Sequence, residues 1–348
     1  MIFVILILSD RYQTGYNHSN MSSNPKLLLP SVYVSDAAKH IRAAEKRVSF
    51  LSMIVTDDPS TDELIDALSE AAERGVDVEA AADVFTYSEL GGLFLPTQYR
   101  TKQSRATNRM GKRLNKSGVK FTWLGRSHAT IVSGRTHIKW CVVDDTVYSF
   151  GGVNMYTEGI ENIDYMFKIE DGELATKLID EYHRLARADA GSYAYRSHSF
   201  QHGNDTVLID GGFFGDSIIY RRVCKLAADA KHITLVSQYC PTGKLSRLLK
   251  ETKSTLYFNP PSNAVMLNKF VIKVGMFLTG HKTKYKKSAY LHAKFIIFDM
   301  NDGRRIAITG SHNFVNAGVL LGTREIALQT ENPQTIAQLE VFLKDYIV

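Results

Sequence analysis

Only three cysteines, Cys141, Cys224 and Cys240, occur in the 348 residues, and none belongs to a CxxC pair. That excludes a disulfide-stapled scaffold and a cysteine-built zinc site, and it fits a reducing, cytoplasmic compartment. Long hydrophobic runs are also missing. The apolar stretch from Met1 to Leu8 stops at Ser9-Asp10-Arg11, far short of the roughly 20 residues a transmembrane helix needs. It has neither the basic n-region nor the small-x-small cleavage site of a signal peptide. Residues 1–29 are read as an N-terminal extension, and two readings stay open: residues 1–20 lie upstream of a start at Met21, or the apolar run is a first strand or frayed tail. An HExxH helix and an EF-hand loop are absent as well, so the chemistry is expected to need neither metal nor cofactor.

What the chain does have is enough apolar material, 44% of residues, to bury the cores of two ordinary domains. Its net charge of +6 suits phosphate-bearing partners, whether lipid headgroups or nucleic acid.

The pattern from residue 37 to 85 reads helix, strand, helix, strand. Ala37 to Glu45 is Ala-rich and amphipathic, and Arg47 to Val55 is β-branched and aromatic. Thr61 to Arg74 sets Leu64, Ile65, Leu68 and Ala71 on one helical face before Gly75, and Val76 to Ala80 is again extended. This is a βαβ unit with parallel strands. The grammar recurs as a helix over Ile218 to Ala230, a strand over His232 to Ser237, a helix over Lys244 to Lys250 and a strand over Ser254 to Phe258, so an internal duplication is expected. The predicted halves are 30–190 and 206–348, joined by a Gly/Ser/His-rich linker over 191–205. The first half carries about 30 extra residues, placed near 86–116, where Arg105, Arg109, Lys112 and Lys116 would share one helical face. A second basic cluster, Lys282, Lys284, Lys286 and Lys287, precedes the second motif described next.

Two segments carry chemistry. The first reads His137-x-Lys139-x4-Asp144 and is followed by Gly151-Gly152-x-Asn154; the second reads His292-x-Lys294-x4-Asp299 and is followed by Gly310-Ser311-x-Asn313. Residues two apart on a strand share a face, so each His and Lys would project together. One such motif arises by chance in roughly one protein in fifty. Two copies, each with a small-small-x-Asn turn in a repeated half, are not an accident of composition. Asp144 and Asp299 lie five residues beyond the lysines, on the opposite parity, and are expected to support structure rather than catalysis. His312, beside Asn313, is expected to be a local hydrogen bonder.

This arrangement resembles the phospholipase D superfamily, whose HKD signature is the same motif and turn, and the resemblance covers residues 30 to 345. It implies an α/β fold of two sandwich halves related by a pseudo-twofold axis, with mixed, largely parallel sheets flanked by helices and one shared active site. It further implies that His137 is the nucleophile and His292 the general acid/base, with a covalent phosphohistidine between them. Lys139, Lys294, Asn154 and Asn313 would hold the non-bridging oxygens. Asp164 and Glu325 resemble the acids that orient such histidines. Gly152, Ser311 and Tyr239, the last in Ser237-Gln-Tyr239-Cys-Pro241, are candidates for touching substrate.

Around Asp57-Asp58, Leu64 to Arg74 and Arg74-Gly-Val-Asp-Val the pattern looks most like cardiolipin synthases and related phosphatidyltransferases. That implies a phospholipid substrate and a peripheral place on an anionic membrane. Two alternatives remain: a hydrolase or nuclease using the same histidines, with nucleic acid as partner, and a non-catalytic protein on the same scaffold. Simple HKD nucleases contribute one motif per chain and dimerise, and tyrosyl-DNA phosphodiesterases lack the motif Asp that this chain keeps twice. Decay of an enzyme would strike the His or Lys first. The motif count favours a lipid enzyme, the retained Asp argues against a tyrosyl-DNA phosphodiesterase, and the intact His and Lys favour a catalytic protein.

Overall fold

The strands of both halves are apolar on two faces, and the period of two separates those faces into different cores. In the run Trp140 to Val143, Trp140 and Val142 enter a central core while Cys141 and Val143 enter an outer one. Phe295 to Phe298 behaves likewise, with Phe295 and Ile297 central, Ile296 and Phe298 outer. The central core draws on both halves and on helices Gly172–Asp189 and Pro333–Phe342, so the halves are fused across it. The protein is described by a computed structural model, which covers residues 25–87, 101–125, 134–191, 194–264 and 266–348. The Met1 to Leu8 run and its alternative start therefore lie outside the described residues.

The first half contributes β1 (Lys26–Leu28), β2 (Arg47–Ser52), β3 (Asp77–Asp83), β4 (Lys120–Leu124), β5 (Trp140–Val143), β6 (Thr146–Ser149) and β7 (Met166–Glu170), in the order β1-β7-β6-β5-β2-β3-β4. The second contributes β8 (His198–His202), β9 (Asp205–Gly211), β10 (Ala230–Val236), β11 (Lys253–Tyr257), β12 (Phe295–Met300), β13 (Arg305–Gly310) and β14 (Arg324–Thr330), in the order β11-β10-β12-β13-β14-β9-β8. The predicted βαβ units are present. Helix Asp62–Glu73 buries Leu64, Ile65, Leu68 and Ala71 and links parallel β2 and β3. It ends at Gly75, whose φ of +91° is costly for any residue with a Cβ. In the second half, helix Gly243–Glu251 links parallel β10 and β11.

Three expectations are corrected. The sheets are mixed but mainly antiparallel: only β2/β3, β3/β4 and β10/β11 pair in parallel. The reason is local, because each motif strand returns at once through a tight turn, β5 to β6 and β12 to β13, and a short turn forces antiparallel pairing. The segment read as linker is partly sheet: His198–His202 pairs with β9 through the turn at Gly203-Asn204. Likewise Lys26–Leu28, counted with the N-terminal extension, pairs with β7 and belongs to the first half. The basic segment carries a helix of the first half. Helix Lys102–Lys116 buries Met110 and Leu114 and leads into β4, completing a further parallel crossover. Its outer face does expose Arg105, Arg109, Lys112 and Lys116, as expected.

Candidate active site

Each HxK lies in the extended segment just before its strand, at the seam between halves, rather than inside the sheet. There the two halves exchange backbone hydrogen bonds in the same way twice. The His137 amide donates to the Arg324 carbonyl at 2.8 Å, and the His292 amide donates to the Ile163 carbonyl at 3.0 Å. The residues bonded, Arg324 and Ile163, each immediately precede one of the predicted orienting acids, Glu325 and Asp164. The acids are consequently delivered crosswise. Asp164 of the first half meets His292 of the second, Oδ2 to Nδ1 2.6 Å; Glu325 of the second meets His137 of the first, Oε1 to Nδ1 3.1 Å.

Both carboxylates are buried, and burial alone would favour their neutral forms. The partners win. For Glu325, the charge and hydrogen bond of His137 overcome burial and hold the carboxyl down at about 2. For Asp164, the hydrogen bond from His292 and the charge of Lys294 hold it below the usual range. Glu325 is fixed further by the Ser311 hydroxyl, which donates to Oε2 at 2.5 Å, and by Thr323 at 3.2 Å. Ser311 is thus a buried positioning group for the carboxylate. Gly152, its counterpart, serves by being small: a Cβ there would lie 2.6 Å from Asp164 Oδ2 and 3.0 Å from Lys294 Nζ.

The lysines stand behind the histidines. Lys139 Nζ donates to the His137 carbonyl at 2.8 Å, and Lys294 Nζ donates to the His292 carbonyl while lying 3.2 Å from its Nδ1. Burial pushes Lys139 down to about 8, against the attraction of Glu325 and Asp164. Burial and the nearby Lys139 push Lys294 down to about 7. Burial and the Lys294 charge push His292 down to about 4. Each lysine thus lies in the field of both carboxylates, which brings the two motifs to one place. Asn154 and Asn313 are buried, and each leaves its side-chain Oδ1 without a hydrogen-bond partner.

Other predicted residues sit farther out. Asp144 accepts the backbone amides of Glu45, Lys46 and Arg47 at 2.9, 2.9 and 3.0 Å, fastening the turn into β2. Asp299 pairs with Arg305 at 3.0 Å and His232 at 3.3 Å. Both roles are structural. His312 accepts the Phe314 amide through Nδ1 at 2.8 Å. Tyr239 donates to Asn268 Oδ1 at 2.7 Å and accepts from Gln238, so its hydroxyl is engaged beside the seam.

Sequence reasoning missed the residues that pin the seam. Asp83 accepts the Thr136 amide at 2.8 Å, and Asn259 accepts the Leu291 amide at 2.9 Å, each one residue before a motif histidine. Asp83 is in turn paired with Arg135 at 2.9 Å, and Arg324 with Asp189 at 2.9 Å. The available signal was positional: Asp83 ends β3 and Asn259 follows β11, the second parallel strand of each half.

Comparison with known proteins agrees with this architecture. Residues 38–186 match the family described as cardiolipin synthase, PLD-like domain. No curated protein sequence matches the chain. Among solved structures it is similar to phosphatidylserine synthase from Haemophilus influenzae Rd KW20, with a TM-score of 0.70 at 16% identity over 92% of this chain and 85% of that one. It is also similar to polyphosphate kinase from Porphyromonas gingivalis, with a TM-score of 0.60 at 13% identity over 92% of this chain and 51% of that one. At such identities the likeness is one of fold. The family match spans the first half, residues 38–186, and both the fold and the HKD motif recur in the second half.

Proposed function

We propose that the protein is a phosphatidyltransferase of the cardiolipin synthase type, moving a phosphatidyl group from one phospholipid to an alcohol through a covalent phosphohistidine. The observation that carries this reading is the crossed pairing of each histidine with a buried carboxylate of the other half. A carboxylate on Nδ1 keeps the proton there and turns the Nε2 lone pair outward, the tautomer that attack requires. One imidazole attacks phosphorus, forming a P–N bond as the P–O bond to the leaving group breaks. The other, protonated, gives its Nε2 proton to the leaving oxygen, then takes a proton from the incoming alcohol or water as that oxygen displaces the histidine. Lys139 and Lys294 stabilise the non-bridging oxygens, and the side-chain N–H groups of Asn154 and Asn313 would donate to the same oxygens.

The resemblance assigns the attack to His137. One observation favours the reverse: His292 rests neutral, held down by burial and Lys294, and only a neutral imidazole attacks. Quenching in neutral denaturant, which spares the P–N bond, with headgroup-labelled and acyl-labelled phospholipid, followed by peptide mapping, separates the two. The substrate itself is tested by incubating the protein and His137→Ala with phosphatidylglycerol, a choline lipid and single-stranded DNA. Diphosphatidylglycerol formed by the wild type alone supports the transferase; DNA cleavage without lipid turnover refutes it in favour of a nuclease.

A further inference from the structure

Between β11 and the second motif the chain carries helix Met266–Thr279, in the same connection that holds the basic helix Lys102–Lys116 in the first half. Its inner stripe is ordinary: Ile272 and Thr279 are buried, and a Cβ on Gly275 would lie 3.1 Å from Cys240 Cβ and 3.7 Å from Thr242 Cγ2. The outer stripe is not. Phe270, Val271, Val274, Phe277 and Leu278 all face solvent, with Phe277 88% and Leu278 71% exposed. In an amphipathic surface helix that face would be polar, as it is in Lys102–Lys116. Helix Asn316–Leu321 rests on the same Thr242, whose Oγ1 accepts the Asn316 amide at 3.0 Å, and it exposes Leu320 and Leu321. Exposed apolar side chains grouped in this way mark an interaction surface.

The charges around it identify the partner. From Glu251 to Asp299 there is no acidic residue, while eight lysines occur. Lys269 and Lys273 flank the apolar stripe, and Lys282, Lys284 and Lys286 are exposed on the segment that follows. Aliphatic and aromatic groups interspersed with lysines, in a stretch without acidic residues, fit the boundary of an anionic bilayer. A second copy of the chain fits worse, because a twofold contact would set these lysines against themselves. No helix among the described residues is long and apolar enough to cross a membrane. The surface is also tied to the active site: Asn268 accepts from Tyr239, Gln238 donates to both Tyr239 and Tyr290 at 3.0 Å, and Tyr290 lies two residues before His292.

We propose that the outer face of helix Met266–Thr279, with Leu320 and Leu321, is a monotopic docking surface that inserts into an anionic bilayer and presents phospholipid to the adjoining site. This rests on the phospholipid reading above, and flotation tests it without any need for catalysis. The full chain and the variant Phe277→Asp/Leu278→Asp are floated with vesicles of equal parts phosphatidylglycerol and phosphatidylcholine, and with phosphatidylcholine alone. The wild type is expected to float with the anionic vesicles and to bind neutral ones at least about tenfold less; the variant is expected to lose about tenfold or more on anionic vesicles. Turnover of a short-chain phospholipid dissolved as monomers should be unchanged in the variant, which shows that it is folded. Equal flotation of the two proteins, or no flotation of the wild type, overturns the proposal. So does a wild-type dimer that the substitutions dissociate without any vesicle binding, which would assign the face to a second copy. Vesicle binding without lipid turnover would refute the proposed function and leave the docking surface standing.

Discussion

Glu325→Gln removes one charge from the site while keeping its shape. Glu325 offers two oxygens, one to His137 Nδ1 and one to the Ser311 hydroxyl. Glutamine has a single carbonyl oxygen, so only one contact can be kept. If the amide oxygen stays on Ser311, an N–H faces His137, the imidazole must accept at Nδ1, and its proton moves to Nε2. The ring then cannot play its part as attacking base. The carboxyl sits at about 2 against an ordinary 4.5, and a difference of that size corresponds to about 3 kcal/mol of preference for the charged, paired state. If that preference supports the transition state, turnover should fall by about a hundredfold or more.

The same shift makes a prediction about stability with a definite sign. A carboxyl depressed in the folded state stabilises the fold above its unfolded pKa, and that contribution is lost as pH falls through the folded value. Urea melts should therefore show the wild type more stable than Glu325→Gln at pH 7 by up to about 3 kcal/mol. The gap should shrink between pH 4.5 and 2 and vanish below. The paired measurements are phospholipid turnover in detergent micelles and the pH series of melts. A variant within about threefold of wild-type turnover would refute the tautomer argument, and a stability gap independent of pH would refute the electrostatic one.

Three other outcomes are expected. Gly152→Ala should fold, yet displace the Asp164 carboxylate or Lys294, each too close to a new Cβ. Turnover should fall by about a hundredfold, the cost of misplacing a catalytic group by roughly an ångström, whereas Gly151→Ala should fail to fold, its Cβ meeting the Tyr165 carbonyl at 1.8 Å. Asp144→Ala loses three amide contacts in a residue with φ of +49°; thermal melts should record a loss of about 2 kcal/mol, with turnover per folded molecule unchanged. Finally, Lys294 at about 7 and Lys139 at about 8 are charged below those values and neutral above them. Affinity for an anionic diester should thus decline on the alkaline side, giving kcat/KM a descending limb with midpoint near 7 to 8 in a pH profile of the free enzyme.

The halves, the βαβ units and the His, Lys and Asn sets were legible because each is a local pattern: a period of 3.6, a period of two, or a spacing within a dozen residues. The parity of Asp144 and Asp299 likewise points them away from the site, toward the partners they have in the fold. What escaped was everything that depends on one half docking against the other. Nothing within residues 137–164 states that Asp164 serves His292 rather than His137, since the nearer histidine in sequence is the wrong one. Asp83 and Asn259 escaped for the same reason, each being an ordinary strand-end residue until its partner amide arrives from the motif segment. The strand directions departed on local grounds: the short turns after β5 and β12 permit only antiparallel pairing, which the largely parallel sheets implied by the resemblance did not take into account. The crossed carboxylates also explain why the two halves must meet. A half separated from its partner would keep its histidine and lysine and lose the acid that sets the tautomer, so neither half can assemble a competent imidazole alone.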